Sequence, residues 1–516
     1  MDDNKTRSFV FYLSLAIVGG VALAGLTIPQ PFYVLTKALR QFISRDFGWY
    51  YLLLLAAMVC FCVFFIVTPA GQIRLGDPHS EPEHSKFSWL AMLFSAGMGI
   101  GLVFYGAAEP LSHFAVSAPA AEVGSRQALE DALKYTFFHW GIHAWAAYGL
   151  VALAIAYFQF RKKESILLSV TLKPLFGKRA EGVLGTLVDS ATIFATVVGV
   201  ATSLGYGAIQ INSGLHFLWQ VPESQTVQML IIAVTTVLFL LSAMSGVSRG
   251  VKFLSNLNVI LALLLLACVI ATGPTVLILN NFVDSIGSYI QGVFRMSFRT
   301  AAYDAARNQW IQQWTIFYWA WWLSWTPFVG IFIARISKGR TIREFLVHVM
   351  LVPTLLTMLW FSAFGTLAIH LQTTGIELID LDTENVLFGA LAHCPFGFFM
   401  SVLAVFLIFS FFITSADSAV FVLAMLSEKG ALHPTNRTKL IWGVLLSLLA
   451  GTLLAAGGLD ALQNVLIIVA LPFSVAIVLM MVALYIELEH ERNEMGLYIK
   501  PDTYPEKDKP FRSYED

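Results

Sequence analysis

Apolar stretches of about 20 residues, the length at which a helix crosses a bilayer core of roughly 30 Å, recur twelve times along the chain. They lie near 9–29, 49–68, 87–108, 136–160, 184–212, 226–246, 252–273, 312–335, 346–370, 395–427, 437–457 and 463–486. The pattern predicts an all-α integral membrane protein with 12 transmembrane helices over 9–486, preceded by a short segment, 1–8, and followed by a tail, 487–516. The first run follows charged residues as a signal-anchor does. No small-residue cleavage motif stands behind it, so it is expected to remain as the first span. The stretch 277–298 is apolar on one side and interrupted by polar residues, which predicts an amphipathic helix lying on the membrane surface. The run 395–427 is long for an upright helix, and tilting would absorb the excess. Beyond Tyr485 the chain mixes both signs of charge with three prolines and reads as a solvated appendage with a short helical start.

Twelve spans put both termini on one side, and the cations between the spans indicate which side that is. Of the 32 Lys and Arg residues, 24 fall in the loops that share a side with the termini, among them the cluster Arg161, Lys162, Lys163, Lys173, Lys178 and Arg179. The other 8 (Lys37, Arg40, Arg45, Arg126, Lys134, Arg295, Arg299 and Arg307) fall in the alternate loops. By the positive-inside rule both termini are expected in the cytoplasm, with the protein in the plasma (inner) membrane. Composition agrees with a lipid surrounding: the chain is 57% hydrophobic and 13% charged, where soluble domains carry roughly 25% charged residues. A net charge of −1 argues against a nucleic-acid partner. The four cysteines form no disulfide or metal framework. A membrane function other than an enzyme's is expected.

Against this apolar background four stretches stand out. The eighth span carries Trp319, Trp321, Trp322 and Trp325 within seven residues. Helical spacing crowds Trp321, Trp322 and Trp325 together, and Pro327 is expected to weaken the helix directly behind them. Indole faces beside a helix break suit a cation with no hydrogen to donate, such as a quaternary ammonium group, although membrane proteins also use Trp as interfacial belts and core filler. The third span carries Gly97, Gly99 and Gly101 at alternate positions. Gly97 and Gly101 alone would make a small-residue packing face, and the additional Gly99 favours an unwound loop lining a cavity. The fourth span sets His139 and His143 on one face, beside Trp140, Trp145 and Tyr148. That pair would suit haem or metal in a redox protein, but with no second histidine pair on another span it reads as structural. The tenth span buries Thr414, Ser415, Asp417 and Ser418 in an apolar run. Such oxygens suit Na⁺, or else the hydroxyls bond back to their own helix.

The third and eighth spans both read as interrupted, and five spans separate their starts. Matching breaks in two halves mark the substrate site of a secondary transporter. An odd number of spans per half inverts the second half, giving repeats at about 87–273 and 312–486 with two spans outside them. The stretches GMGIGLVFYGAAEP (97–110), FHWGIHAW (138–145), WAWWLSWTPFVGIFIARISKGRTIREF (319–345) and FFITSADS (411–418) together resemble the betaine–choline–carnitine transporter family. The resemblance implies a LeuT-type inverted-repeat core, commonly assembled as a homotrimer, that takes up trimethylammonium compounds. It places a substrate box at Trp140, Tyr148, Trp321, Trp322 and Trp325, faced by the backbone around Met98, Gly99 and Gly101. One Na⁺ site maps to Ser95, Met98, Phe411, Thr414 and Ser415, and a second to Thr196 and Phe328, although Val200 stands where another hydroxyl is expected. Choline-type members tend to carry Asp where this chain has Gly101, so the resemblance points to Na⁺ symport of glycine betaine, an osmoprotectant. Proton-coupled choline uptake, carnitine/betaine-type exchange, and uptake of sulfonium compounds or ectoine are the alternatives. No cofactor beyond the coupling ion is implied.

Overall fold

The computed structural model describes residues 9–97, 99–245 and 248–497, with backbone only at 94–97 and 248–252. The main helices are α1 (Phe9–Thr27), α2 (Pro29–Val67), α3 (Lys86–Gly97), α4 (Ile100–Ala115), α5 (Arg126–Trp140), α6 (Ile142–Ala156), α7 (Lys173–Phe176), α8 (Val183–Trp219) and α9 (Gln225–Ser245). They continue with α10 (Ser248–Thr272), α11 (Thr275–Ser297), α12 (Ala305–Gln313), α13 (Thr315–Ile336), α14 (Ile342–Thr373), α15 (Val386–Ala392), α16 (Gly397–Ser427) and α17 (Asn436–Glu494). Among the described residues the only β-pairing is an isolated antiparallel bridge between Arg74 and Thr341. Ten helical segments there are long and apolar enough to cross a membrane.

Helix breaks determine how these segments sit. The apolar stretch at 87–108 divides into α3 and α4 around Met98, which lies outside the described residues, and Gly99, which is extended at φ −156° and ψ 176°. The 59-residue α17 leaves helical geometry at Gly457 and at Gly458, the latter at φ 60° and ψ −140°, a region open essentially to glycine. The interruption expected in the eighth span does not occur, because α13 runs continuously from Thr315 to Ile336 with Pro327 inside it. Proline supplies no N–H to the Leu323 carbonyl, and the Thr326 hydroxyl donates to that carbonyl instead, at 2.7 Å. A break that the sequence reading did not anticipate falls at Gly141, between α5 and α6.

Two further differences concern the ends of helices. The stretch at 30–48, expected as a loop, is the first half of α2, whose 39 residues make a helix of about 58 Å at 1.5 Å per residue. The tail is likewise less solvated at its start than expected. Helix α17 continues to Glu494, and the buried Glu491 accepts from Tyr157 at 2.5 Å and pairs closely with Arg161. A π-turn at Tyr157–Arg161 presents both partners to it. Residues 498–516 lie outside the described residues. The expected amphipathic segment is present as α11, packed on α5 and α14.

The cation-rich loops meet one another. Arg161 donates to the Gly76 carbonyl at 2.8 Å, Lys163 pairs with Asp77 at 3.0 Å, and Lys338 pairs with Glu83 at 2.7 Å. The cation-poor stretches make their own contacts, with Arg40 3.6 Å from Asp460 and Arg299 donating to Tyr135.

Candidate functional site: an aromatic cage beside two helix breaks

The breaks at Gly99 and Gly141 both lie against α13, and the space between them is walled by aromatic rings. A cavity of about 50 Å³ is lined by Gly99 and Gly101 of the α3–α4 break, Trp140 and Tyr148 flanking the α5–α6 break, and Trp321, Trp322 and Trp325 of α13. That volume exceeds the roughly 10–15 Å³ needed to admit a single water. Every substrate-box residue expected from the sequence with a described side chain therefore lines one cavity. Ile100, Leu102, Ala144, Trp145, Ser203, Val329 and Thr357 complete the lining.

Ring orientations give the cage its corners. Trp321 and Trp322 lie parallel, 5.2 Å apart at an interplanar angle of 10°. Trp140 meets Trp322 edge-on at 4.9 Å and 69°, and Tyr148 meets it at 6.1 Å and 74°. Trp322 donates its indole N–H to the His139 carbonyl at 2.8 Å, which ties α13 to the end of α5. The Trp140 carbonyl, next to the break, accepts from Thr357 at 3.2 Å. Among the described residues the indole N–H groups of Trp321 and Trp325 have no acceptor, so two donors of the cage are unspent there. Gly101 is set by close approach: a Cβ there would lie 2.6 Å from Trp321 Cη2 and 3.2 Å from Trp140 Cη2.

Behind the cage, fully buried Glu109 gathers four partners. Its Oε2 accepts from Trp140 Nε1 at 2.7 Å and from the Tyr318 hydroxyl. Its Oε1 lies 2.7 Å from His139 Nδ1 and 3.2 Å from His113 Nε2. Nothing in the sequence reading singled out Glu109 as a site residue, although an ionisable side chain inside a span is itself a signal. His139 and His143 have separate partners: His139 Nε2 faces Thr315 Oγ1 at 3.0 Å, whereas His143 Nε2 faces Ser297 Oγ at 2.9 Å and its ring stacks on Trp319.

The residues expected to hold Na⁺ are less fully placed. Met98 and the Ser95 side chain lie outside the described residues. On α16, the Thr414 hydroxyl accepts from Asn258 Nδ2 of α10 at 3.0 Å and donates to the Ser410 carbonyl at 3.0 Å. Phe411 is buried on the same helix and Ser415 is half-buried. Thr196 of α8 donates to Thr192 O at 2.8 Å, and Val200, one turn on, is buried. Phe328 of α13 packs edge-on to Trp325 at 5.6 Å.

These features define a polytopic all-helical membrane protein with an aromatic cage at two helix breaks. Comparison with known proteins is more specific. The betaine/carnitine/choline (BCCT) family transporter profile matches residues 9–493, and the chain belongs to this family of membrane transporters, which are not enzymes. It is 54% identical over 492 residues to the glycine betaine transporter OpuD of Bacillus subtilis (strain 168), covering 95% of this chain and 96% of the relative. It is 42% identical over 486 residues to an ectoine/hydroxyectoine transporter of Virgibacillus pantothenticus, covering 93% and 96%. To a glycine betaine transporter of Acinetobacter baylyi it is 39% identical over 511 residues, covering 98% of this chain and 77% of the relative.

Proposed function

We propose that this transporter imports glycine betaine by Na⁺ symport through alternating access. The observation that carries the substrate is the cage itself: parallel Trp321 and Trp322, with Trp140 and Tyr148 closing the corner at right angles. A trimethylammonium head offers no hydrogen to donate and a diffuse positive charge, and indole faces stabilise it by about 2 kcal/mol or more when desolvated. Its carboxylate would be met by backbone dipoles at the N-terminus of α4, which begins beside Gly99. Na⁺ held by Thr414 and Ser415 of α16, with Ser95 and Met98, would bias the position of α3. A second Na⁺ would have Thr196 and Phe328, but Val200 stands where its other hydroxyl is expected, so one coupled ion is proposed. Each imported charge is worth about 2.3 kcal/mol per 100 mV.

In this reading the ten long apolar segments become twelve spans, once α3 with α4 counts as one and α17 divides at Gly457–Gly458. Spans three to seven and eight to twelve then form the inverted repeat, with both termini in the cytoplasm of a cell whose inner membrane holds the protein as a homotrimer. The separate meeting of cation-rich and cation-poor loops supports that sidedness. The test is uptake of labelled glycine betaine into proteoliposomes under an inward Na⁺ gradient and under an equal K⁺ gradient. Uptake with Na⁺ alone is expected. Equal uptake with both would refute symport, and uptake of labelled ectoine without uptake of labelled betaine would refute the substrate.

A further inference from the structure

We propose that Glu109 is a positioning residue and the buried counter-charge of the cage, setting its preference for a cationic head over a neutral one of the same shape. The proposal rests on the reading that the cage holds a quaternary ammonium group. One carboxylate oxygen accepts from both Trp140 Nε1 and the Tyr318 hydroxyl. Trp140 is a wall of the cage and the last residue of α5 before the Gly141 break, so its ring direction is not fixed by a continuing helix. Tyr318 lies parallel to Trp322 at 5.6 Å and 22°, and to Trp321 at 6.1 Å and 15°. A single side chain of α4 thus sets the angle between the crossing wall and the parallel walls.

The same group supplies charge. An indole N–H can only donate, and four donors directed at two oxygens leave the carboxyl group as an acceptor, the arrangement that makes a buried carboxylate tolerable. The His139 ring can serve as one of the donors without a further proton, because Nε2 can accept from Thr315 while Nδ1 donates to Glu109. Among the described residues no Lys or Arg joins the cluster, so there the negative charge is spread over hydrogen bonds and is not cancelled by a cation. An anion bonded to the edge of an indole polarises that ring and makes its face more negative. A trimethylammonium group in the cage gains from this, and a tert-butyl group does not.

The test compares glycine betaine with 3,3-dimethylbutyrate, in which carbon replaces the quaternary nitrogen. For Glu109→Gln, at saturating Na⁺, the betaine KM is expected to rise tenfold or more with Vmax and the Na⁺ half-saturation unchanged. The inhibition constant of 3,3-dimethylbutyrate should move less than twofold, so the preference for the cation falls by the same factor of ten. Glu109→Asp keeps the charge and should retain that preference. A betaine KM within twofold of wild type, or equal weakening of both compounds, would overturn the proposal. Should Glu109→Gln fail to fold, Tyr318→Phe removes one donor alone: a several-fold rise in betaine KM is expected, and no change overturns the positioning role. A wild-type protein that transports no betaine would sink the function reading separately. Betaine binding followed by tryptophan fluorescence would then still compare Glu109→Gln with wild type.

Discussion

Gly101→Ala is the smallest change that tests whether the cage geometry determines affinity. The added Cβ would lie 2.6 Å from Trp321 Cη2 and 3.1 Å from Cζ2, whereas carbon atoms settle at about 3.5–4.0 Å. One group must therefore retreat by roughly 1 Å. Trp321 can retreat only into the cavity it lines, because its other sides are backed by Trp322, Tyr206 and Phe317 at ring distances of 5.2, 5.3 and 5.5 Å. Overpacking of this kind costs about 1–3 kcal/mol, and relieving it tilts an indole out of the parallel pair. A loss of about 1.4 kcal/mol of binding is a factor of ten, so the betaine KM is expected to rise about tenfold or more while the protein still reaches the membrane. The assay is initial-rate uptake of labelled betaine in proteoliposomes at matched protein density. A KM within twofold of wild type would refute the argument, because it would mean that the Trp321 ring can shift without loss and is not a cage wall.

Other expectations follow from the same contacts. Trp325→Leu removes one ring from the cavity lining and should raise the betaine KM several-fold at unchanged expression; an unaltered KM would exclude Trp325 from the cage. Thr414→Ala combined with Ser415→Ala should raise the Na⁺ concentration needed for half-maximal uptake, and a double variant with wild-type Na⁺ activation would eliminate that ion site. Glu491→Ala leaves the half-buried Arg161 without its carboxylate partner, although Arg161 keeps its bond to the Gly76 carbonyl, a loss of about 1–3 kcal/mol. The thermal unfolding midpoint in detergent should fall, and an unchanged midpoint would mean that the end of α17 is not a docked part of the fold.

What the sequence revealed and what it hid divide along physical lines. Runs of apolar residues and clusters of one residue type are local signals, so the spans, the indoles of α13 and the glycine-rich break before α4 were legible. Proline was read too simply, because its effect on α13 depends on whether a neighbouring hydroxyl can serve the freed carbonyl, and Thr326 does. The helical first half of α2 was obscured by its cations, whose positions on the helix leave Phe32, Thr36 and Ile43 free to be buried. Glu109 was hidden for a different reason. Its four partners lie at positions 113, 139, 140 and 318, and only the packed helices bring these positions around one carboxylate. The break at Gly141 carried no signal beyond a single glycine in an aromatic run.

The placement of these breaks bears on how such a cage could open. Irregular backbone inside a membrane is tolerated where it lines a cavity; Gly99 lines the cage, and the break at Gly141 directly follows Trp140, one of its walls. The wall opposite them is continuous: α13 carries three indoles on an unbroken helix whose one missing hydrogen bond is replaced by Thr326. A rocking motion about either break therefore carries Trp140 or Gly101 past the fixed pair Trp321–Trp322 without rearranging that pair. Glu109 sits on α4 and reaches both Trp140 and Tyr318, so α4 cannot move far from α13 while all of these bonds remain. Under the proposed alternating access, a movement of α4 away from α13 would have to break the bond from Tyr318 to Glu109, which would couple that opening to the loss of the cage geometry.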